Sequence, residues 1–203
     1  MLPGHYVCTS CGTKFPFEFY RAIYYLGSGE IGDHVPDEEL LAVPLRPAWC
    51  KDCGRVCPVE DIAPLRTFEA AYAAVRSGLS FDYPFSSKYG DPADHRREVA
   101  VYLRWRMGRR RAARALCCGG SNFQFMDVPT PLFKHAECEF GVIEPVEVIP
   151  GPGVWRPGIS GPANTRLYSA EGDLIGRITW LHLTEHQRTW SVEKLSYPAA
   201  TGE

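Results

Sequence analysis

Apolar residues follow a helical period in the middle of the chain. After Pro64, a residue type favoured at the start of a helix, they recur at helical spacing and stop at Ser77-Gly78: Leu65, Phe68, Tyr72 and Val75. This pattern predicts a first helix over 64–77.

A second, longer helix is predicted to begin at Asp91-Pro92 and to run to about Leu116. On a helical wheel one face of this segment is apolar, with Val101, Trp105, Ala112 and Leu116, and the other face carries arginines. A short helix is also predicted near Glu18 to Leu26.

From Gly119 onward, short β-like runs are broken by proline and glycine. One run is 142–149. Another, 166–175, is predicted to form a hairpin around Glu171-Gly172-Asp173. Further strands are predicted from Ile175 to about Leu183 and from Trp190 to Leu195.

Composition places the 203-residue chain in the ordinary globular range, with 45% hydrophobic and 23% charged residues. The formal net charge of −2 provides no general attraction to nucleic acid or anionic membranes. Neither a signal-like start nor a membrane-length apolar run is present in the sequence, so we expect a soluble, cytoplasmic protein. In a reducing cytosol the eight cysteines favour metal binding over disulfides.

Two C-x-x-C-G elements, Cys8 to Gly12 and Cys50 to Gly54, are the strongest chemical signal. Each presents two sulfurs on one side of a tight turn, and two such turns complete a tetrahedral zinc shell. Paired elements of this kind resemble the knuckles of zinc-ribbon and rubredoxin-like domains. The resemblance covers the first sixty or so residues and implies that Cys8, Cys11, Cys50 and Cys53 bind one structural zinc ion.

The alternative for these cysteines is a redox pair or a set of reduced core thiols. Thioredoxin-like chemistry uses one C-x-x-C at the start of a helix, which fits two spaced pairs poorly. Cys57, close to the second knuckle, is predicted to be a buried thiol outside the metal site.

A second zinc site is predicted from Cys117, Cys118, His135 and Cys138. H-x-x-C is a good metal half-site, and Cys118-Gly119 repeats the end of a knuckle, although Ala115 stands where a standard knuckle has its first cysteine. The alternatives are a buried thiol pair with a hydrogen-bonded histidine, and a catalytic thiol, Cys118 or Cys138, beside His135.

The segment His182 to His186 spells H-x-x-E-H, which is the signature of inverted zinc peptidases. That mechanism needs a helix, whereas the preceding residues alternate like a strand. The match is therefore attributed to chance spacing at a strand end.

Arginines cluster on the predicted second helix. Eight of the 22 Lys and Arg residues lie between Arg96 and Arg114, and Arg104, Arg110, Arg111 and Arg114 are the candidate contacts to nucleic acid or to a protein partner. The alternative is a solvated face, or one paired with acidic residues between Glu30 and Glu39.

Together these patterns predict an α+β protein: an N-terminal zinc ribbon with a long insert (1–62), two central helices (63–117) and a C-terminal antiparallel β-rich region with the second zinc (118–203). No catalytic set stands out, so we expect a non-enzymatic protein that acts by protein–protein interaction. A bacterial toxin-neutralising (immunity) protein is one such class. The alternative is a nucleic-acid-binding zinc-ribbon protein that uses the arginine-rich segment.

Overall fold

The computed structural model of the chain describes residues 5–17, 21–79, 92–126, 133–146, 165–184 and 187–195. Within these ranges the chain is mostly β-strand, with two α-helices and a short 3-10 helix, Asp37–Glu39. The helices are α1 (Leu65–Arg76) and α2 (Pro92–Gly108). The strands are β1 (His5–Cys8), β2 (Lys14–Pro16), β3 (Arg21–Tyr25), β4 (His34–Pro36), β5 (Leu40–Ala42), β6 (Leu45–Cys50), β7 (Arg55–Glu60), β8 (Phe123–Phe125), β9 (Phe133–Lys134), β10 (Val142–Val146), β11 (Thr165–Ser169), β12 (Leu174–Thr184) and β13 (Gln187–Lys194).

The chain divides into two compact units, each assembled from three separate stretches of sequence. The first unit comprises Met1–Tyr20, Pro44–Ile62 and Arg111–Arg156. The second unit comprises Arg21–Val43, Ala63–Arg110 and Pro157–Glu203.

The first unit contains two sheets that share one design. In the sheet β2-β1-β10-β9 and in the sheet β7-β6-β8, a central strand pairs antiparallel with the strand that follows it and with a strand from much later in the chain. We call β1, β2 and β10 the first module, and β6, β7 and β8 the second module. Each module is thus a hairpin completed by a distant strand.

A single core joins the two modules of the first unit. Tyr6 and Phe15 from the first module pack with Val56 from the second module, and Trp49 is packed against this cluster. The rings of Phe15 and Trp49 meet edge to face, with centroids 5.3 Å apart. Aromatic side chains therefore supply much of the apolar area that this small unit buries.

The second unit is built on a six-stranded sheet in the order β4-β13-β12-β11-β3-β5. Strand β3 pairs in parallel with β11, and the remaining neighbours are antiparallel. The Trp105 indole of α2 donates a hydrogen bond to the Ala170 carbonyl (2.9 Å) and packs edge to face on Tyr24. Aromatic contacts thus anchor α2 to the residues around β3 and β11.

Several elements predicted from the sequence are confirmed. Helix α1 starts directly after Pro64 and ends before Ser77-Gly78, where Gly78 adopts a positive φ of 73°. The hairpin around Gly172 joins β11 to β12, and strands occupy most of the positions predicted for 175–183 and 190–195. Local patterning was sufficient for these elements because each lies on a strong, continuous period.

The predicted fold class, however, is wrong. There is no self-contained N-terminal ribbon among the described residues, since β1 pairs with β10 and β6 pairs with β8. The two helices lie within 63–117 but do not form a separate segment of the fold, because they belong to a unit whose sheet uses strands from both ends of the chain. Such pairing between distant strands leaves no local signature in a single sequence.

The predicted helix near 18–26 is also wrong over its described part, because 21–25 is strand β3; residues 18–20 lie outside the described ranges. Ala22, Ile23 and Tyr24 are all buried in succession, which suits a strand covered on both faces. The aromatic and β-branched content of this stretch favours a strand over a helix.

Helix α2 ends at Gly108, well before the predicted end at Leu116. Glycine is unfavourable inside helices, and the next residue, Arg109, is buried with its guanidinium 5.0 Å from the centre of the Trp105 ring. Beyond it, Ala115 forms a β-bridge with Val59 instead of a helical turn. In the helices that the structure describes, no stretch is long and apolar enough to cross a lipid bilayer.

Replacing Leu167→Ala should destabilise the second unit by about 2–5 kcal/mol, because this side chain is fully buried and its loss leaves a cavity. Urea unfolding of the purified chain measures the change. Leu195→Ala is the matched control: Leu195 is 37% exposed, so its cost should stay within about 0.5 kcal/mol. Equal costs for the two variants would contradict the described core.

Candidate metal centres

The candidate metal ligands predicted from the sequence lie in two clusters. Cys8, Cys11, His135 and Cys138 form one, which we call the histidine cluster; Cys50, Cys53, Cys117 and Cys118 form the other, the all-cysteine cluster. Within each cluster the four ligand atoms lie within 4.8 Å of one another. Both clusters belong to the first unit, one in each module.

This grouping corrects the predicted one. The resemblance to zinc ribbons implied that the two C-x-x-C knuckles share one metal, whereas the structure places them in different clusters. Each knuckle meets a half-site from the later part of the chain. The physical reason is strand pairing: β1 and β6, which lead into the knuckles, pair with β10 and β8 and not with each other.

In the histidine cluster the first half is the turn after β1. Cys8 is the last residue of the strand, and its amide donates to the Thr13 carbonyl (2.9 Å). Gly12 closes the turn through a hydrogen bond to the Cys8 carbonyl (3.0 Å) and has a positive φ of 70°, which favours glycine. The turn therefore brings Cys8 and Cys11 to the same side.

The second half of this cluster is the short turn between β9 and β10. The Cys138 amide donates to the His135 carbonyl (3.0 Å), and the His135 amide donates to the Gly141 carbonyl (2.9 Å). Because Cys8 is opposite Ile143 in the β1–β10 pair, this turn lies beside the knuckle. Strand register thus brings the two halves together.

Gly141 supports this cluster and was not among the residues predicted from the sequence. A Cβ atom at this position would collide with the Cys8 sulfur and would lie 2.7 Å from the Cys138 Cβ. The position therefore requires glycine for close approach to two of the ligands. The sequence shows Gly141 as the glycine of a C-x-x-G pattern that begins at Cys138. Its close approach to Cys8 could not be predicted without knowing which knuckle packs beside it.

The distances in the histidine cluster fit a tetrahedral metal ion. The Cys11 sulfur lies 3.4 Å from His135 Nδ1, close to the edge of about 3.6 Å expected for a tetrahedron with metal–sulfur and metal–nitrogen bonds of about 2.3 and 2.0–2.1 Å. His135 Nε2 faces the Glu137 carboxylate at 3.9 Å.

The all-cysteine cluster repeats this plan in the second module. Cys50 ends β6, and Gly54 in the following turn has a φ of 59°. Cys117 and Cys118 lie in a tight turn where the Ala115 amide donates to the Gly120 carbonyl (2.8 Å). This turn precedes β8 as the His135 turn precedes β10.

The two modules match in strand register, although their half-site ligands are spaced differently, at 135 and 138 in the first and at 117 and 118 in the second. Cys8 pairs with Ile143, five positions after Cys138 (138 to 143), and Cys50 pairs with Phe123, five positions after Cys118 (118 to 123). The residue after each knuckle cysteine donates its amide in the same way, from Thr9 to Val142 and from Lys51 to Asn122, at 2.9 Å in both modules. The first unit therefore contains two copies of one metal-binding plan.

Sulfur–sulfur distances in the all-cysteine cluster also fit a tetrahedral ion. Cys50 to Cys118 and Cys53 to Cys117 are each 3.7 Å, and Cys117 to Cys118 is 3.8 Å. A tetrahedron with metal–sulfur bonds of about 2.3 Å has edges of about 3.8 Å. The adjacent Cys117 and Cys118 thus both point into one cluster, and all eight cysteines of the chain are free thiols.

Crowding changes the acidity of these thiols. In the all-cysteine cluster, burial raises the pKa of Cys117 to about 12, and burial followed by contact with Cys118 raises the pKa of Cys53 to about 12. The Gly120 amide, 3.4 Å from the Cys118 sulfur, lowers the pKa of Cys118.

Neighbouring thiols of the histidine cluster likewise have pKa values shifted in opposite directions. The Thr13 hydroxyl, 3.0 Å from the Cys11 sulfur, lowers the pKa of Cys11 to about 6, while contact with Cys11 and then burial raise the pKa of Cys138 to about 12. One thiolate in each set is thus favoured at the expense of its neighbours. A divalent cation removes the conflict, since it stabilises the fully deprotonated set.

Cys57 is buried at 3% exposure in the core beside the all-cysteine cluster and is not one of the four grouped ligands. Burial raises its pKa to about 11, as expected for an inert core thiol. The prediction that Cys57 is a buried thiol outside the metal site is confirmed.

The predicted arginine face does not exist as a helical face. Arg104 is exposed on α2, but Arg110, Arg111 and Arg114 follow the end of the helix. The Arg114 side chain instead donates from Nε to the Gly119 carbonyl (2.6 Å), next to the all-cysteine cluster. On α2, Arg97 faces Glu38 at 3.9 Å, an ion pair of the kind predicted with the acidic stretch.

His182 of the H-x-x-E-H segment lies in strand β12, and residues 185 and 186 lie outside the described ranges. Comparisons of the chain with protein-family models, with curated proteins and with solved structures found no match.

The grouping of ligands can be tested with two double variants. Cys8→Ser/Cys138→Ser damages only the histidine cluster and should leave about one metal equivalent per chain, whereas Cys8→Ser/Cys50→Ser damages both clusters and should leave about none. Elemental analysis of the purified variants measures the content. If both knuckles shared one metal, the two results would be exchanged.

Gly141→Ala should weaken metal binding at the histidine cluster on the order of tenfold or more, because the added methyl group displaces Cys8 or Cys138. Competition with a chelator measures the affinity. Gly29→Ala is the control, since a Cβ there meets nothing within 4 Å. Unchanged metal affinity in the Gly141 variant would show that the close approach is unimportant.

Proposed function

We propose that the protein is a non-enzymatic zinc protein in which two structural zinc ions stabilise a surface that binds one protein partner. The observation that carries this proposal is that each cluster offers four protein ligands at tetrahedral distances. A catalytic zinc site keeps one position open for water or substrate, whereas a structural site is closed by four side chains.

Zinc is the metal that these ligand sets favour. Three or four thiolates with at most one imidazole are typical of structural zinc sites, and tetrahedral sulfur-rich geometry disfavours magnesium, calcium and manganese. Each zinc would tie an early knuckle to a late half-site, which closes a long loop of chain and lowers the entropy of the unfolded state. A unit with a small aromatic core gains much of its stability in this way.

Binding to a protein is favoured over binding to nucleic acid by the placement of the arginines. Arg104 and Arg110 belong to the second unit, whereas Arg111 and Arg114 belong to the first. They do not form the helical stripe that would track a phosphate backbone. Neutralisation of a toxin in the bacterial cytoplasm is the specific form of partner binding that we propose.

Purification of the tagged full chain from its native cells should recover one protein in a fixed ratio that persists through gel filtration. Stripping zinc with a chelator should release that protein, because the binding surface depends on the metal-stabilised unit. A recovered toxin whose activity the chain inhibits would support the immunity role.

The contrary result is binding to RNA or DNA. Fluorescence anisotropy at low and high salt measures the binding of RNA or DNA to the wild type. The comparison is the variant Arg104→Glu/Arg110→Glu/Arg111→Glu. Salt-dependent binding that this variant loses, without a recovered protein, would replace the proposed function by the nucleic-acid alternative.

A further inference from the structure

We propose that Phe140, held between two elements of the histidine cluster and preceded by Glu137 and Glu139, is the anchor by which the chain docks to a protein partner, and that the partner offers apolar side chains bordered by lysine or arginine. This inference rests on the proposed function and specifies the surface and the partner chemistry.

Phe140 is the most exposed large hydrophobic residue in the described part of the chain, at 79%. Single exposed apolar residues are ordinary on protein surfaces, and Leu79 and Met107 are exposed nearly as much, at 65% and 66%. Exposure alone therefore does not distinguish Phe140. The fixed backbone on both sides of it and the charged residues near it do.

The backbone on both sides of Phe140 is fixed. Cys138, two residues before it, is a candidate metal ligand, and Gly141, directly after it, packs against the Cys8 sulfur and the Cys138 Cβ. The His135 amide closes the turn by donating to the Gly141 carbonyl. An aromatic ring presented by so short and constrained a turn loses little conformational entropy on binding, which is the property of an interface anchor.

Comparison of the two modules shows that an aromatic ring at this position is not needed for metal binding. The residue two positions after the last cysteine is Phe140 in the first module and Gly120 in the second. At Gly120 a Cβ atom would lie 2.7 Å from the Asp52 carboxylate. The second module therefore has no side chain at the position where the first displays a large apolar group.

The charge around Phe140 indicates the partner's chemistry. Glu137, whose side chain is 87% exposed, and the exposed Glu139 lie on either side of Cys138. Exposed acidic side chains next to an apolar anchor in the chain complement an apolar surface that carries basic side chains.

The experiment is a selection of short random peptides, displayed on phage, on the zinc-loaded full chain. We expect enriched peptides to combine aromatic or aliphatic residues with lysine or arginine. Their affinity, measured by biolayer interferometry, should fall about tenfold or more in Phe140→Ser. Met107→Ser, which removes an exposed apolar side chain from the second unit, should bind as the wild type does.

Charge is tested with Glu139→Gln, which should bind the peptides more weakly and with less dependence on salt. Zinc content equal to that of the wild type shows that each variant keeps its fold. Enriched peptides without basic residues, or peptides that bind Phe140→Ser as tightly as the wild type, would overturn the inference.

Two other outcomes separate this inference from the proposed function. If the protein recovered from native cells binds Phe140→Ser unchanged, the proposed function stands and the docking role of Phe140 fails. If the wild type captures neither a peptide nor a cellular partner, both fail. A concentration-dependent dimer that Phe140→Ser abolishes would assign the surface to a second copy of the chain and overturn the assigned partner.

Discussion

The interaction on which the first unit depends is the convergence of four ligand atoms within 4.8 Å at each of two clusters. Thiols this close cannot all ionise without a cation, which is why burial and mutual contact raise the pKa of Cys53, Cys117 and Cys138 to about 12. Protonated cysteines at these distances, on the other hand, stabilise one another only weakly. A divalent ion bound at each cluster would stabilise the deprotonated thiols and would link distant parts of the chain.

Strand pairing decides which cysteines share an ion. The register of β1 against β10 sets Cys8 opposite Ile143, and the register of β6 against β8 sets Cys50 opposite Phe123. In both cases the half-site turn comes immediately before the distant strand, so strand pairing is what brings the four candidate ligands together. One hydrogen bond, from the residue after the first knuckle cysteine, and the five-residue spacing from Cys138 or Cys118 to the paired residue occur in both modules.

The identity of the ligands could be predicted from the sequence, but their grouping could not. C-x-x-C-G at Cys8 and Cys50 and H-x-x-C at His135 are local patterns with a local chemical meaning, whereas the meeting of knuckle and half-site depends on distant strand pairing. The fold shows the same distinction. Helix α1 was predicted closely because its period and both of its ends lie within one short segment. Strand β3 was mistaken for a helix because it is buried beside the distant β11 and lacks the alternation of a half-exposed strand.

Duplication also provides an internal comparison that separates what the metal requires from what the surface adds. Requirements common to both modules are a strand ending in cysteine, a left-handed glycine at Gly12 or Gly54, and a turn of fixed length before the distant strand. The exposed ring of Phe140 belongs to the first module, and Gly120 occupies the equivalent position in the second. The comparison therefore separates the features that the two candidate metal sites share from an exposed aromatic side chain that belongs to the first module.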